Sequence, residues 1–393
     1  MPASDRGVVV VGGGAAGLMA AVAAAESGAR PLLVTDGPVG RSNSVMAQGG
    51  IQMPAPTAES RASLVADMLR SARVPVDVGR VRRFADELGS TVEMVAGWGL
   101  PLDRDERGDP VRHTAGGMSE PRVVSIGDRL GPSLVKVLRA RLEDLGVEVR
   151  TGVSIDDLVP GPDGVVLQGS EGALRARAVV VATGGVAYDE AKRLGERTTN
   201  PPNDNGRVVR LLRRLGLPTV HESHFQYQPF GLVEIGGPTG VCVPETIAEL
   251  PVRLVDRLGR PVAPPGADRL EITDAIFAAL HRGDGVTTGQ GSGVLLTLGD
   301  VDGAEVASRF PSLHRTLARH GLLGADVVVR PFLHYWLGGF VTDGECATTI
   351  PGLYLAGEIT GGLHGRNRLM GNGIADSLVH GRRAGMAAAG TRS

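Results

Sequence analysis

"VVVVGGGAAGLMAAVAAAE", residues 8 to 26, decides how the rest of this chain is read. Four consecutive valines, Val8 to Val11, with no polar alternation, read as a strand buried on both faces, as in a parallel sheet. Ala15 to Glu26 reads as a helix of small residues that can lie close to its neighbours. The turn between them, Gly12 to Gly17, matches G-x-G-x-x-G. Gly12 permits the tight turn, Gly14 lets backbone approach a pyrophosphate with Ala16 on the same turn, and Gly17 brings helix against strand. The helix start then offers aligned amides and partial positive charge to phosphates. A second strand, Pro31 to Thr35, ends at Asp36, nineteen residues beyond Gly17, where such folds hold a ribose hydroxyl. Strand, turn, helix and acid together predict a dinucleotide site rather than a bare glycine turn.

Two later segments return to the same place. "ARAVVVATGG" (Ala176 to Gly185) is a strand ending in Ala182, Thr183 and Gly184, and "IPGLYLAGEITGG" (Ile350 to Gly362) is another ending in Gly357 and Glu358. A simple NAD-binding domain needs no third closing segment, whereas FAD is longer and needs contacts along its ribityl chain. Helical patterns lie at 60–71, 78–97, 131–145 and about 205–215, with short strands near 148–150, 164–168 and 174–182. From about 220 to 335 proline, glycine and short apolar runs dominate, with helices near 271–281 and 308–320. A strand at Leu353–Ala356 and a helix at Ile374–Ala389 follow. The expected class is α/β: a Rossmann-like, glutathione-reductase-like FAD-binding domain over 1–221, an inserted α+β capping domain over 222–335, and a closing part of the first domain over 336–393.

The 393 residues suffice for two domains. A net charge of −2 with scattered charges gives no reason to expect nucleic acid. Only Lys136 and Lys192 among the 41 basic residues are lysine, so arginine positions carry more meaning than arginine counts. Cys242 and Cys346 stand about a hundred residues apart, which suits neither a disulfide framework nor a metal site. The N-terminus enters the first strand at once and the apolar run from Ala15 to Ala25 is too short for a bilayer, so the expectation is a cytoplasmic protein with no leader and no membrane span.

Further motifs carry a resemblance. "SNSVMAQGGI" (Ser42 to Ile51), "GDRLG" (Gly127 to Gly131), "RPFLHYWLGGFVTD" (Arg330 to Asp343) and "HGRNRLMGN" (His364 to Asn372) are similar to segments of the flavoprotein subunits of succinate dehydrogenase and fumarate reductase and of L-aspartate oxidase. The resemblance spans nearly the whole chain. It implies FAD, with Ser42, Asn43, Ala47, Gln48, Gly49, Gly50, Asp204, Asn372, Gly373 and Ile374 joining the earlier residues at the cofactor. Respiratory members attach the flavin through a histidine where this chain has Asn43, and an amide cannot form that bond, so the implied FAD is noncovalent. The chain ends soon after its final helix, and docking to an iron–sulfur subunit is not expected.

The resemblance also implies a substrate site. His334 and Arg368 match positions that hold a carboxylate, and Arg269 matches, across a gap, an arginine that moves the substrate proton. Taken alone, Arg269 reads equally as a charge at a helix start. Gln228 in "FQYQPF" stands where a substrate-binding histidine is usual and Phe230 replaces a threonine; Arg366 replaces the usual alanine; Met118 lies in "TAGGMS", where Ala115 replaces the L-aspartate oxidase glutamate. The Arg-Gly-Glu-Gly-Gly segment is missing, and the nearest stretch, Ala248 to Val252, lacks the acid thought to serve the catalytic arginine. The expected activity is hydride transfer between flavin and a small carboxylate, an amino acid or related acid, with oxygen or another electron acceptor. Reduction of an activated alkene is the alternative, and a flavin-binding partner protein without catalysis is a third. The sequence leaves the oligomeric state open.

Overall fold

The computed structural model describes residues 4–202, 206–237 and 239–391. Its central sheet has seven strands. β1 (Ser4–Val11) is flanked by β2 (Leu32–Thr35), with the helix α1 (Ala15–Glu26) between them in sequence. α2 (Ala58–Ala72), α3 (Val78–Gly97) and α4 (Leu130–Asp144) precede β3 (Glu148–Thr151), which adds parallel to β2. β4 (Ile155–Gly161) and β5 (Gly164–Gly169) form an antiparallel hairpin leading into β6 (Gly172–Val181).

β6 runs parallel to β1 from Ser4↔Leu174 to Val11↔Val181, so both strands end level. On its other edge the first half of β6 pairs with β5 and the last three residues pair with a strand from near the C-terminus. The glycine turn, the Thr183–Gly184 turn and the Gly357–Glu358 turn therefore open at one end of the sheet, where ligands of open α/β sheets bind.

A second sheet lies inside the region of changed texture. β7 (Phe225–Leu232), β8 (Gly291–Leu296) and β9 (Val327–Trp336) form its antiparallel centre, with short strands Leu254–Val255 and Val286–Thr288 at its margin. α5 (Arg269–His281) starts in a capping box, Asp268 accepting from the Glu271 amide and Glu271 from the Asp268 amide. α6 (Pro311–Arg319) follows a separate helix, Gly303–Arg309. Phe230, Leu232, Ile276, Val294, Leu313 and Val329 belong to a core of this region's own.

β10 (Leu353–Leu355) completes the first sheet, and α7 (Asn372–Gly390) packs across α1. That crossing explains the alanine and glycine composition of both helices. A Cβ on Gly381 would lie 2.5 Å from the Ala16 carbonyl oxygen, and one on Gly385 would lie 2.1 Å from that of Ala20. Gly17 makes the same kind of approach, its Cβ position lying 1.9 Å from the Gly12 oxygen. The two apolar layers on either face of the sheet are thus held at backbone contact distance on the α1 side.

Candidate active site

Two adjoining cavities of about 1010 and 1590 Å³ run from the end of the seven-stranded sheet to the second sheet. The first is lined by Gly12, Gly14, Ala16, Asp36, Ser42, Asn43, Ala182, Thr183, Gly184 and Glu358. Its shape follows from the glycines. Gly12 adopts φ +124, and a Cβ there would lie 2.2 Å from the Ala182 oxygen, so no side chain can stand between the two turns. Gly17 lies outside the lining and sets the helix–strand distance. Gly357 also lies outside it, its Cβ position 2.9 Å from that of Ala16. Asp204 lies outside the described residues.

The second cavity shares Asn43 and Glu358 with the first. Ala47, Gln48, Gly49 and Gly50 line it, with Gly373 and Ile374 at the start of α7. Gly371 caps this helix with φ +81, so the positive helix end faces the cavity. Asn372, between the lining residues Gly371 and Gly373 but outside the lining itself, is fully buried, and neither its amide nitrogen nor its oxygen has a partner; the buried Ser42 Oγ has none either. Buried polar atoms without partners are rare and suit a ligand rich in hydrogen-bonding groups. Together with the glycine cradle and Asp36, this donor set fits FAD.

From the second sheet come Gln228 and His334, from the start of α5 comes Arg269, and from the segment before α7 comes Arg368; all four line this cavity. Arg368 is 5% exposed, stacks on Tyr335 with 4.5 Å to the ring centre, and has no partner at Nε. Burial and then the Arg269 charge push its guanidinium down to about 10. His334 Nδ1 lies 2.7 Å from Thr199 Oγ1, and burial followed by the Arg269 and Arg368 charges holds it well below the usual histidine range. It is therefore a neutral imidazole at pH 7.

Arg269, at the first turn of α5, is 8% exposed and meets two groups: Gln226 Oε1 at 2.8 Å and Glu245 Oε1 at 2.5 Å. Glu245 corrects the sequence reading. The acid inside the stretch Ala248 to Val252, Glu249, pairs with His113 and Arg309, and the one beside Arg269 stands three residues before that stretch. Gln226 is a second residue that the reading missed. Its Nε2 donates to Asn367 Oδ1 at 2.9 Å and to the Arg368 carbonyl at 3.0 Å, so one buried amide ties Arg269 to the Arg368 backbone. The position was visible in "FQYQPF", where attention fell on Gln228.

Two expected substrate residues lie elsewhere. Arg366 is exposed and outside the lining, its backbone amide held by the Ala72 carbonyl at 2.7 Å. Met118 packs against the core around α2 and α3, with Gln52 Nε2 3.5 Å from its sulfur. Behind Arg368, Asp376 bonds His380 and lies 3.5 Å from both His364 Nε2 and the Tyr335 hydroxyl. Burial works to raise the Asp376 carboxyl, but His380 and His364 hold it well below the carboxylate range. Burial pushes Glu358 up to about 7, against the Trp336 amide and Arg368. Asn43 bonds both Glu358 and Asn200, so the amide at the expected attachment position is engaged with protein.

Among the described residues no group of three or more His, Cys, Asp or Glu could hold a metal ion, and no helix is long and apolar enough to cross a membrane. The family described as FAD binding domain matches residues 7–374. L-aspartate oxidase of Agrobacterium fabrum is 31% identical over 97% of this chain and 73% of its own length. A fumarate reductase (CoM/CoB) chain of Methanothermobacter marburgensis is 28% identical over 97% of this chain and 72% of its own. The E. coli quinol fumarate reductase flavoprotein superposes with a TM-score of 0.90 at 26% identity, covering 99% of this chain and 70% of that one. Its glycine cradle, its engaged arginines and these relatives agree: the chain belongs to the FAD binding domain family of oxidoreductases, in the group of L-aspartate oxidase and the fumarate reductase and succinate dehydrogenase flavoproteins.

Proposed function

We propose that this FAD-dependent oxidoreductase removes a hydride and a proton from adjacent atoms of a small organic acid, in the manner of an oxidase of the L-aspartate oxidase type. The observation that carries the reading is the convergence of Arg368, His334 and the Arg269–Glu245 pair on the cavity that also contains residues 43–50 and the start of α7. FAD, when bound, accepts or returns the hydride. Arg368 orients the substrate carboxylate: a planar guanidinium with a free Nε–H, fixed by Tyr335, meets a carboxylate in two parallel hydrogen bonds. His334 stays neutral and offers a hydrogen bond without competing for charge. Arg269 stands as the proton-transfer group, and Glu245 at 2.5 Å takes or restores that proton so that the arginine is not left in an unfavourable state. The capping box of α5 fixes where that side chain starts.

The cofactor is held without a covalent bond, a reading supported by Asn43. Acid precipitation of the yellow protein should leave all flavin in the supernatant; colour in the pellet would disprove it. The activity itself is tested by anaerobic mixing of purified protein with small amino and hydroxy acids. Bleaching of the oxidised flavin, reversed by admitting air, is expected. Bleaching only by an added reductant, followed by recolouring with an unsaturated acid, would assign the reverse direction. Arg269→Lys should keep the flavin yet lose bleaching, whereas unchanged bleaching would remove Arg269 from the chemistry.

A further inference from the structure

The charges facing the substrate cavity can be taken side chain by side chain. Among the described residues its lining holds two arginines, Arg269 and Arg368, and three acids, Asp128, Glu245 and Glu358. Asp128 is engaged elsewhere: its two oxygens accept from the Ser312 and Leu313 amides at 3.0 and 2.7 Å. Arg269 and Glu245 compensate one another at 2.5 Å. Glu358 accepts from the Trp336 amide at 2.8 Å and from the Asn43 side chain and forms no hydrogen bond with Arg368. Arg368 remains, with an unpartnered Nε and no carboxylate in hydrogen-bonding contact. A buried cation of this kind is satisfied by one anion.

The other polar wall is neutral. The Phe230 amide donates to Gln228 Oε1 at 3.1 Å. A backbone N–H can only be met by an oxygen, which settles the orientation of the Gln228 amide and leaves its NH₂ as the available donor. Gln228 stands two residues beyond Gln226 on β7, past a register shift between Gln226 and Tyr227, and lines the cavity. Gln226 donates to the Arg368 carbonyl, so one strand carries both the residue tied to the Arg368 backbone and the neutral donor. Thr199 and Thr239 add hydroxyls to the lining and no charge.

We propose that the substrate carries a single carboxylate, held by Arg368, and at its other end an uncharged carbonyl group, a carboxamide or ester, held by the Gln228 amide. The proposal rests on the organic-acid reading above and narrows it. A dicarboxylate would set its second anion against a neutral donor in a cavity whose other arginine is already paired with Glu245, and an unpaired buried anion is strongly disfavoured.

The test uses flavin-loaded full-length protein and three ligands of one chain length, succinate, succinamate and succinamide, titrated calorimetrically at about pH 7.5. Succinamate is expected to bind at least about tenfold more tightly than either of the others. Succinate binding as tightly as succinamate overturns the single-charge assignment and leaves the organic-acid reading standing. Succinamide binding as tightly as succinamate, or no binding by any of the three, overturns both. Gln228→Arg, which adds a second unpaired cation at the same pH, should move the succinate-to-succinamate ratio at least about tenfold toward succinate. An unchanged ratio in that variant, with flavin content retained, removes Gln228 from recognition.

Discussion

Arg368 is buried, stacked and short of a partner, and each of those facts has a measurable counterpart. Replacing it by alanine deletes the charged half of the substrate contact, worth about 3 kcal/mol or roughly a hundredfold in kcat/KM. Flavin content should be unchanged, and the measurement is steady-state kinetics on variant protein with its flavin absorbance recorded. Glu245→Gln should keep the geometry of the Arg269 contact and remove the proton acceptor, so kcat should fall by about tenfold or more while substrate affinity stays within a factor of about three. Equal loss in both quantities would place Glu245 in binding instead. The places of Arg368 and His334 at one cavity were foreshadowed by motifs with glycine, histidine and asparagine neighbours, whereas Arg269 was reached only across a gap. Glu245 was not, since no motif surrounds it and only the fold brings residue 245 beside the first turn of α5. Arg366 misled for the opposite reason: it sits in a strong motif, but its neighbours Asn367 and Arg368 turn inward and it turns out.

The short signature Gly127 to Gly131 acquires a physical meaning among the elements. Asp128 reaches across from before α4 to accept from two amides in the first turn of α6, a helix whose own preceding residue, Phe310, offers no side-chain cap. It joins the region that carries the glycine turn to the region that carries Arg269. Asp128→Ala should cost about 1–2 kcal/mol, seen as a lowered midpoint in urea unfolding. The α1–α7 crossing is less forgiving. Gly385→Val would drive a branched side chain into the Ala20 carbonyl and should destabilise by about 1–3 kcal/mol or more, read in the same titration. The main helices were readable from their periodicity. The expected helix over 308–320 is two, because Pro311 starts a new one and the chain turns at Phe310. β4 escaped notice because Asp156, Asp157 and Pro160 break any apolar alternation, and its pairing with β5 holds it in place.

At the scale of the whole molecule, buried titratable groups make stability depend on pH. His334, His364 and His380 are all held below their ordinary value, chiefly by burial. The unfolded chain therefore binds more protons than the folded one below about pH 6.5, and each contribution is lost as pH falls. Glu358, raised to about 7, acts oppositely between its unfolded value and 7, where the folded state binds the extra proton. With His221 lowered by burial as well, four histidines against one carboxyl predict a lower Tm at about pH 5.5 than at about pH 7.5, measured by calorimetry; a rise would contradict the buried-neutral histidines. The sheet reading succeeded because strand β1 and its turn impose a local pattern, whereas the substrate cavity draws on segments from residue 43 to residue 377 and could be read only in fragments. The packing of α7 across α1 carries one more consequence. During synthesis the glycine turn leaves the ribosome long before the helix that seals Ala16 and Ala20, so the nascent nucleotide cradle stands open on one side throughout that interval. Ribosome-bound chains stalled before residue 353 should capture no flavin, and loading should begin only once residues 353–390 have cleared the exit tunnel.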